Sequence, residues 1–186
     1  PILDDVESWL PELGLPLVVR ADYAKNANHP LDHWVRDPYF GGSMKDVGCY
    51  PLSVVYHLFG KDYDDIHHQY LLGERGAEDV GMVTFMRKNL IMNVVGSYDV
   101  TLDNELRISG PNGYIKAFDF WKTDRVEAYI NDVYYSVEYP HVSEFTYYID
   151  HVITCIEEGL LESPIMSEEA SIFCIEHANP SEVVNG

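Results

Sequence analysis

The stretch from Gly41 to Gly60 reads GGSMKDVGCYPLSVVYHLFG. After the two glycines, apolar residues repeat near the helical period, which predicts a helix over residues 42–59. Pro51 lies inside this segment, and because proline removes one backbone hydrogen bond we expect a kink there. Asp46 and Tyr50 are four residues apart, so on a helix their side chains lie on one face.

A carboxylate and a phenol on one helix face can hold a hydroxylated substrate and orient a hydroxyl group for proton transfer. The glycines before them permit a sharp entry into the helix and leave N–H groups open to a polar or negative group. A structural explanation also stays open from these residues alone. Asp46 would favour the helix dipole, and Tyr50 would be an ordinary core aromatic.

The segments before this helix predict a helix, a strand and a long loop. Residues 1–12 have a helical pattern, and residues 15–26 alternate weakly as in a strand. Residues 27–40 are rich in Asn, His, Asp and Pro, which indicates a loop. A loop of this length in a compact domain is often functional.

After Gly60 the pattern changes to period two. Turn residues separate the alternating segments, and Gly110-Pro111-Asn112-Gly113 and Asn131-Asp132 are typical of hairpins. Helical patterns return after the strands, from Phe145 onward and again after Ser167, which can cap a helix. The sequence therefore predicts an α+β fold with an open, mostly antiparallel sheet and helices on one face. The predicted strands are residues 64–74, 79–87, 90–98, 105–109, 113–118, 125–130 and 133–138.

Four residues besides Asp46 and Tyr50 are candidates for contacting a substrate. Arg20 lies on the first strand, and Trp34 and Arg36 lie in the long loop. Gly42 lies at the start of the helix, where a backbone without a side chain can approach a ligand closely. For the arginines and the tryptophan, an ordinary solvated surface position remains the alternative.

Charge excludes several classes of partner. The net charge of −19 disfavours nucleic acid, because a binder needs basic residues to neutralise phosphates. It also disfavours anionic membrane surfaces, and no run of residues is apolar enough to span a bilayer. The three cysteines and eight histidines have no metal-ligand spacing, so we expect no metal site. Cysteines within apolar helical patterns indicate a reducing cytoplasm.

The helix from Gly41 to Gly60 resembles the signature of the substrate domain in the Gfo/Idh/MocA (glucose–fructose oxidoreductase and inositol dehydrogenase) family. The family pattern is a Gly-Gly pair, an Asp, a Gly, a His or Tyr one turn after the Asp, then a small residue or Pro, and Leu. This sequence supplies Gly41-Gly42, Asp46, Gly48, Tyr50 and Pro51-Leu52. Residues 37–42, 108–115 and 157–170 resemble further family segments in the same order.

The resemblance implies a fold like the C-terminal domain of glyceraldehyde-3-phosphate dehydrogenase and a role in hydride transfer between NAD or NADP and a carbinol carbon. The cofactor would be bound mainly by an N-terminal Rossmann domain, since no glycine-rich fingerprint follows a strand here and we expect no cofactor-binding residues in this chain. Residues 1–12 would be a remnant of the connection to that domain, and residues 13–186 the substrate-binding and oligomerisation domain.

The resemblance also implies roles for two side chains and a set of partners. Asp46 would position the substrate, and Tyr50 would take the place of a His that many members use as acid or base. A phenol with an ordinary pKa of about 10 is a poor base, so Tyr50 would donate a hydrogen bond or relay a proton. The expected partners are a carbohydrate-like substrate, the Rossmann domain and a second copy of the chain, in a homodimer or tetramer formed through the sheet.

Two other functions remain open from the sequence. The chain could be a non-catalytic binding or assembly module that kept the fold, or an unrelated α+β binding protein in which the glycine-started helix is a coincidence. By itself the chain is expected to be inactive, because the cofactor carries out hydride chemistry.

Overall fold

Residues 1–179, which the computed structural model describes, form eight strands and four α-helices. The strands are β1 (Leu17–Ala24), β2 (Asp65–Leu72), β3 (Glu78–Arg87), β4 (Leu90–Ser97), β5 (Glu105–Gly110), β6 (Gly113–Phe118), β7 (Arg125–Ile130) and β8 (Val133–Glu138). The helices are α1 (Ile2–Trp9), α2 (Cys49–Phe59), α3 (Phe145–Glu157) and α4 (Glu168–Ala178).

The strands form one sheet in the order β2-β3-β4-β1-β5-β6-β7-β8. Two antiparallel meanders, β2–β4 and β5–β8, are joined by β1, which is antiparallel to β5 and parallel to β4. The predicted α+β class and the mostly antiparallel sheet are confirmed. The parallel pair was not predicted, because it joins strands that are distant in sequence and no local turn indicates it.

The two predicted hairpin turns are both present. Asn131 and Asp132 connect β7 to β8 with φ angles of 51° and 65°, the left-handed conformation that a tight two-residue hairpin requires. Pro111 and Asn112 connect β5 to β6. These turns fix the register of both hairpins, so the buried side chains of β6 and β7 alternate with more exposed ones.

One face of the sheet is covered by helices. Along β1, Val19 and Ala21 are buried, whereas Val18 and Arg20 are exposed on the opposite face. On the covered face α2 packs against β1 and β4, α1 packs against β7, and α4 packs against α2. By contrast, α3 buries none of its residues and exposes an apolar face. The exposed apolar residues of α3 are Phe145, Tyr147, Tyr148, Ile149, Val152, Ile153 and Ile156.

The N-terminal residues pack as part of this domain. Helix α1 buries Val6, and a 3₁₀ turn at Leu10–Leu13 buries Leu13. The ring of Trp9 contacts that of Tyr135 on β8 at 5.8 Å. Residues 1–12 therefore contribute to the core, and their origin in a connection to another domain stays a prediction.

The predicted helix over residues 42–59 is present in two parts. A π-helical turn, Met44–Gly48, precedes α2. Pro51 is the third residue of α2 and follows the π-helical turn within one continuous helix, so the kink expected at Pro51 stays a prediction. The π-helical turn lies close to β4. A Cβ added at Gly96 would be only 3.1 Å from the Cα of Gly48.

Candidate functional site

Asp46 lies among aromatic side chains at the carboxyl ends of β1 and β4, two inner strands of the sheet. The hydroxyl of Tyr98, directly after β4, donates a hydrogen bond to Asp46 Oδ2. Tyr23 lies near the end of β1, where it is in register with Gly96 of β4. Because β1 and β4 are parallel, their carboxyl ends lie side by side and bring both tyrosines to Asp46. We call the whole set the Asp46 group: Tyr23, His29, Asp46, Tyr50, Tyr98 and Trp121.

Tyr50 forms part of an aromatic wall beside Asp46. It is 45% exposed, so it is not an ordinary core aromatic. Its ring meets that of Tyr23 edge-on at 5.5 Å, and Tyr23 stacks on Trp121 at 3.7 Å with an interplanar angle of 6°. The wall presents both aromatic faces and a phenol hydroxyl next to a carboxylate.

The phenols of the group keep their protons at neutral pH. Burial raises the pKa of Tyr50, with further contributions from Cys49 and Asp46. Burial also raises the pKa of Tyr23 and, together with the hydrogen bond to Asp46, that of Tyr98. Since a protonated phenol has an O–H to give, these side chains act as hydrogen-bond donors toward Asp46 or a bound oxygen.

The loop between β1 and the π-helical turn contributes His29. Its ring stacks on His33 at 4.1 Å and meets the ring of Tyr98 edge-on at 4.9 Å. Burial lowers the pKa of His29, and the nearby His33 and Arg36 lower it further. His29 is therefore a neutral imidazole at pH 7 that packs against the residue holding Asp46.

Arg36 anchors this loop. Its Nη1 lies 2.5 Å from Asp79 Oδ1 and 2.5 Å from Asp99 Oδ2, and its Nη2 donates to Asp99 Oδ1 at 2.8 Å. We call these three residues the Arg36 clamp. The hydrogen bonds to Asp99, followed by those to Asp79, raise the pKa of Arg36. Both carboxylate partners come from this chain, and the expected substrate contact of Arg36 stays a prediction.

Gly42 is also accounted for within the chain. It has φ of +113°, and an added Cβ would collide with the carboxylate of Glu78. Glu78 is 2% exposed, and its Oε1 accepts a hydrogen bond from the N–H of Met44 at 3.2 Å. Burial raises the pKa of Glu78. The carboxyl group of Glu78 thus lies at the open start of the helix, and the expected ligand contact of Gly42 stays a prediction.

The structure separates Arg20 from the Asp46 group. Side chains alternate along β1, so Arg20 points to the open face of the sheet, away from α2. Its expected role in substrate binding stays a prediction. Trp34 is 54% exposed and contacts His33 at 5.9 Å, which leaves it at the rim of the group. A substrate contact of Trp34 stays a prediction.

Sequence reasoning missed three members of the group, namely Tyr23, Tyr98 and Trp121, whereas His29 lies in the long loop that was expected to be functional. A partial signal existed, because Tyr23 continues the apolar face of a predicted strand and Tyr98 follows another strand directly. Their meeting depends on the parallel pairing of β1 with β4, which the sequence did not predict.

A cavity of about 190 Å³ adjoins Trp121. It is lined by Trp121 and Phe120, by Glu144 and Tyr147 near the start of α3, and by the N-terminal residues. Within residues 1–179, no group of three or more metal-binding side chains is arranged around one point. None of the helices in this range combines the length and apolar content needed to cross a bilayer.

Comparisons with known proteins agree with the fold. The family model "GFO/IDH/MocA C-terminal domain" matches residues 11–116. Trans-1,2-dihydrobenzene-1,2-diol dehydrogenase from Xenopus tropicalis is 24% identical over 181 residues, covering 90% of this chain and 54% of that protein. The chain thus spans about half the length of the curated relatives it matches.

Solved structures share the fold. Aldose-aldose oxidoreductase from Caulobacter crescentus, complexed with glycerol, matches with a TM-score of 0.75 and 18% identity over 93% of this chain and 55% of that one. An oxidoreductase from Agrobacterium radiobacter, in complex with NAD+, L-tartaric acid and magnesium, matches with a TM-score of 0.69 and 14% identity over 95% of this chain and 57% of that one.

The family match covers more than half of the chain and includes the π-helical turn, α2, the first five strands and most of β6. The glycine-started helix that carries Asp46 lies within the matched residues. It precedes β2–β8, which is the order that the sequence resemblance implies. This chain belongs to the GFO/IDH/MocA family of oxidoreductases and corresponds to the C-terminal domain of its members.

Proposed function

We propose that this chain is the substrate-binding and oligomerisation domain of an NAD(P)-dependent oxidoreductase that acts on a CH–OH group of a sugar, polyol or cyclic diol. The carrying observation is that the Asp46 carboxylate lies beside the half-exposed Tyr50 phenol. Asp46 accepts the hydrogen bond from Tyr98 through Oδ2. Its Oδ1 has no hydrogen-bond partner among residues 1–179 and is available to a substrate hydroxyl.

Each side chain has a distinct role in the proposed reaction. Asp46 Oδ1 accepts a hydrogen bond from the substrate hydroxyl and fixes the direction of the carbinol carbon. Tyr50, protonated at neutral pH, donates a hydrogen bond to the oxygen that gains carbonyl character. The stacked Tyr23 and Trp121 exclude water from one side. NAD or NADP would supply the hydride acceptor or donor, bound mainly by the Rossmann domain that family members carry.

Two relatives support the substrate class. The Caulobacter structure contains glycerol, and the Xenopus enzyme is named for a cyclic diol. Both molecules carry neighbouring hydroxyl groups, which suit one carboxylate acceptor and one phenol donor. The inference for this chain is therefore a compound with neighbouring hydroxyl groups, without a choice between the open-chain and cyclic forms.

Oligomerisation would use the open face of the sheet. Val18 and Ile91 are adjacent across the β1–β4 pair and both are exposed there. Phe118 on β6 adds a third exposed apolar side chain. Covering such a patch with a second copy removes apolar surface from water. Sedimentation velocity tests this part, and a monomer at every concentration would contradict it.

Asp46→Asn in the natural full-length protein tests the catalytic part. With a panel of sugars, polyols and cyclic diols, we expect kcat/KM to fall about a hundredfold on whichever compound the unchanged protein oxidises, because an amide holds the hydroxyl less strongly than a carboxylate. Unchanged turnover would remove Asp46 from the site.

The second candidate, a non-catalytic assembly module, is favoured by the exposed apolar residues of α3 and of the open sheet face. The gene sequence upstream of Pro1 distinguishes the two. A Gly-x-Gly-x-x-Gly segment after a strand, together with a Glu-Lys-Pro motif, would support the oxidoreductase. A natural protein that starts near Pro1 would support the module.

A further inference from the structure

We propose that Tyr98 is a positioning residue for the Asp46 group: its phenol holds one oxygen of the Asp46 carboxylate, so that the other faces the substrate hydroxyl in a fixed direction. This inference rests on the proposed function. It adds a residue that the helix from Gly41 to Gly60 does not contain.

The hydrogen bond itself is the first observation. The O–H of Tyr98 donates to Asp46 Oδ2, and hydrogen bonds to a carboxylate are roughly twice as strong as neutral ones. Asp46 is partly exposed and stands on a π-helical turn, where no other side chain among residues 1–179 donates to it. Without Tyr98, rotation about the Asp46 side-chain bonds would be limited only by packing.

Tyr98 is itself held in place, which a positioning residue requires. The N–H of Ala27 donates to the carbonyl oxygen of Tyr98 at 2.9 Å. The preceding Ser97 is fully buried, and its hydroxyl donates to the carbonyl of Asp79 at 2.8 Å. The same hydroxyl accepts from the N–H of Asp99 at 3.0 Å. The turn after β4 is therefore hydrogen-bonded to the loop after β1 through Ala27 and to β3 through Asp79.

The ring of Tyr98 is also fixed. His29 meets it edge-on at 4.9 Å, and His33 stacks on the other side of His29. The carbonyl of His29 accepts a long hydrogen bond from Arg36 Nη2 at 3.4 Å. The Arg36 clamp thereby supports the histidines, the histidines support Tyr98, and Tyr98 supports Asp46.

A spectroscopic experiment tests the contact independently of activity. In the natural full-length protein labelled at tyrosine Cζ, a hydroxyl proton held by Asp46 should exchange slowly enough to be observed by NMR. The Tyr98→Phe variant assigns the signal by removing it. In Asp46→Asn the signal should be lost or exchange at least tenfold faster. A Tyr98 hydroxyl signal that Asp46→Asn leaves unchanged would overturn the proposal.

A double-mutant cycle tests the role. Tyr98→Phe removes one oxygen and keeps the ring, so the protein should fold. We expect kcat/KM to fall about tenfold, and to fall less than twofold when the same change is made in Asp46→Asn, where the carboxylate is already gone. Tyr56→Phe is the matched control, because Tyr56 donates to Glu169 in another phenol–carboxylate pair on the surface. It should change kcat/KM less than twofold.

The outcomes separate this inference from the proposed function. A wild-type protein inactive on the whole panel would overturn the proposed function and, with it, the catalytic meaning of Tyr98. An active protein in which Tyr98→Phe has the same effect with and without Asp46, or no effect at all, would overturn the positioning role alone. A tenfold loss that disappears in the Asp46→Asn background would support it.

Discussion

The Asp46 group and the Arg36 clamp contain consecutive residues, Tyr98 and Asp99, yet they differ in how their charges are paired. In the clamp, one guanidinium meets two carboxylates within the chain. In the Asp46 group, a carboxylate receives one phenol hydrogen bond, and no second side chain among residues 1–179 donates to it. The difference teaches that a charged side chain can serve as an anchor within the chain or stay open to another partner. The paired charges of the clamp hold the loop, whereas Asp46, under the proposed function, would receive a substrate hydroxyl.

The clamp and the group are also mechanically linked. Arg36 fixes the loop that carries His29 and His33, and these rings contact Tyr98. Damage to the clamp should therefore reduce stability first and disturb the group second. Damage to the group should leave stability almost unchanged. The variants below test this division.

Arg36→Met should have the largest effect. It leaves Asp79 and Asp99 without their common cation, and breaking a buried charge pair destabilises strongly. Because the two carboxylates are partly exposed, 27% and 35% by side chain, we expect a loss of about 3 kcal/mol in the free energy of unfolding, at the lower end of the range for buried pairs. Urea denaturation followed by circular dichroism measures it.

Lys61→Met is the matched control for the clamp. Lys61 pairs with Glu169 on the surface, where both side chains are more than half exposed. Exposed ion pairs contribute little, so a much smaller loss than in Arg36→Met is expected. Equal losses in Arg36→Met and Lys61→Met would mean that the clamp is not a structural anchor.

The next largest effect should be a pH dependence of stability caused by His177, a buried histidine outside both the clamp and the Asp46 group. His177 on α4 lies 3.2 Å from His68 on β2, ring nitrogen to ring nitrogen, and packs against Phe85 and Phe173. Burial, and then His68, lowers the pKa of His177 to about 4. The unfolded chain therefore binds more protons between pH 6.5 and about 4.

Stability linked to His177 should be complete above pH 6.5 and should decline as the pH falls towards about 4. The loss should be roughly 2 kcal/mol after allowance for partial exposure. His177→Gln cannot take up this proton, so its unfolding free energy should depend less steeply on pH in that window. Identical slopes for the variant and the unchanged chain, measured by urea denaturation at several pH values, would argue against the buried neutral imidazole.

Tyr50→Phe should have a smaller free-energy effect than Arg36→Met or the protonation of His177. The effect should appear in activity only. Loss of one hydrogen-bond donor to the substrate oxygen is expected to reduce kcat about tenfold in the full-length protein, about 1.4 kcal/mol. The free energy of unfolding should change by less than about 0.5 kcal/mol, because the phenol is 45% exposed. A large stability loss with normal kcat would contradict the expectation that the Asp46 group serves activity and the Arg36 clamp serves stability.

Local patterns in the sequence were sufficient for most of the fold. The turn at Asn131-Asp132 and the alternation along β6, β7 and β8 predicted those strands with the bounds that the structure has. Ser167 caps α4 as expected, accepting from the N–H of Ala170. These features depend on residues a few positions apart, so a linear pattern carries them.

The site was only partly predictable, because it depends on contacts between distant segments. Asp46 and Tyr50 were found from their spacing and from the family resemblance. Tyr98 could be joined to Asp46 only through the pairing of β4 with β1 and the close approach at Gly96. The ion pairs of Arg36 could not be predicted from the sequence for the same reason, since its partners Asp79 and Asp99 lie in other parts of the chain.

The central position of β1 has a consequence for how the chain acquires its structure. The meanders β2–β4 and β5–β8 are built from neighbours in sequence, so each can pair early, whereas β1 is synthesised before both of its partners exist. Contacts of high sequence separation form slowly because a long loop must close first. Until β1 is inserted, the inner edges at β4 and β5 are unpaired and open to association with other chains. Expression at low temperature or with a chaperone should therefore improve the soluble yield more than changes on the surface of the folded domain.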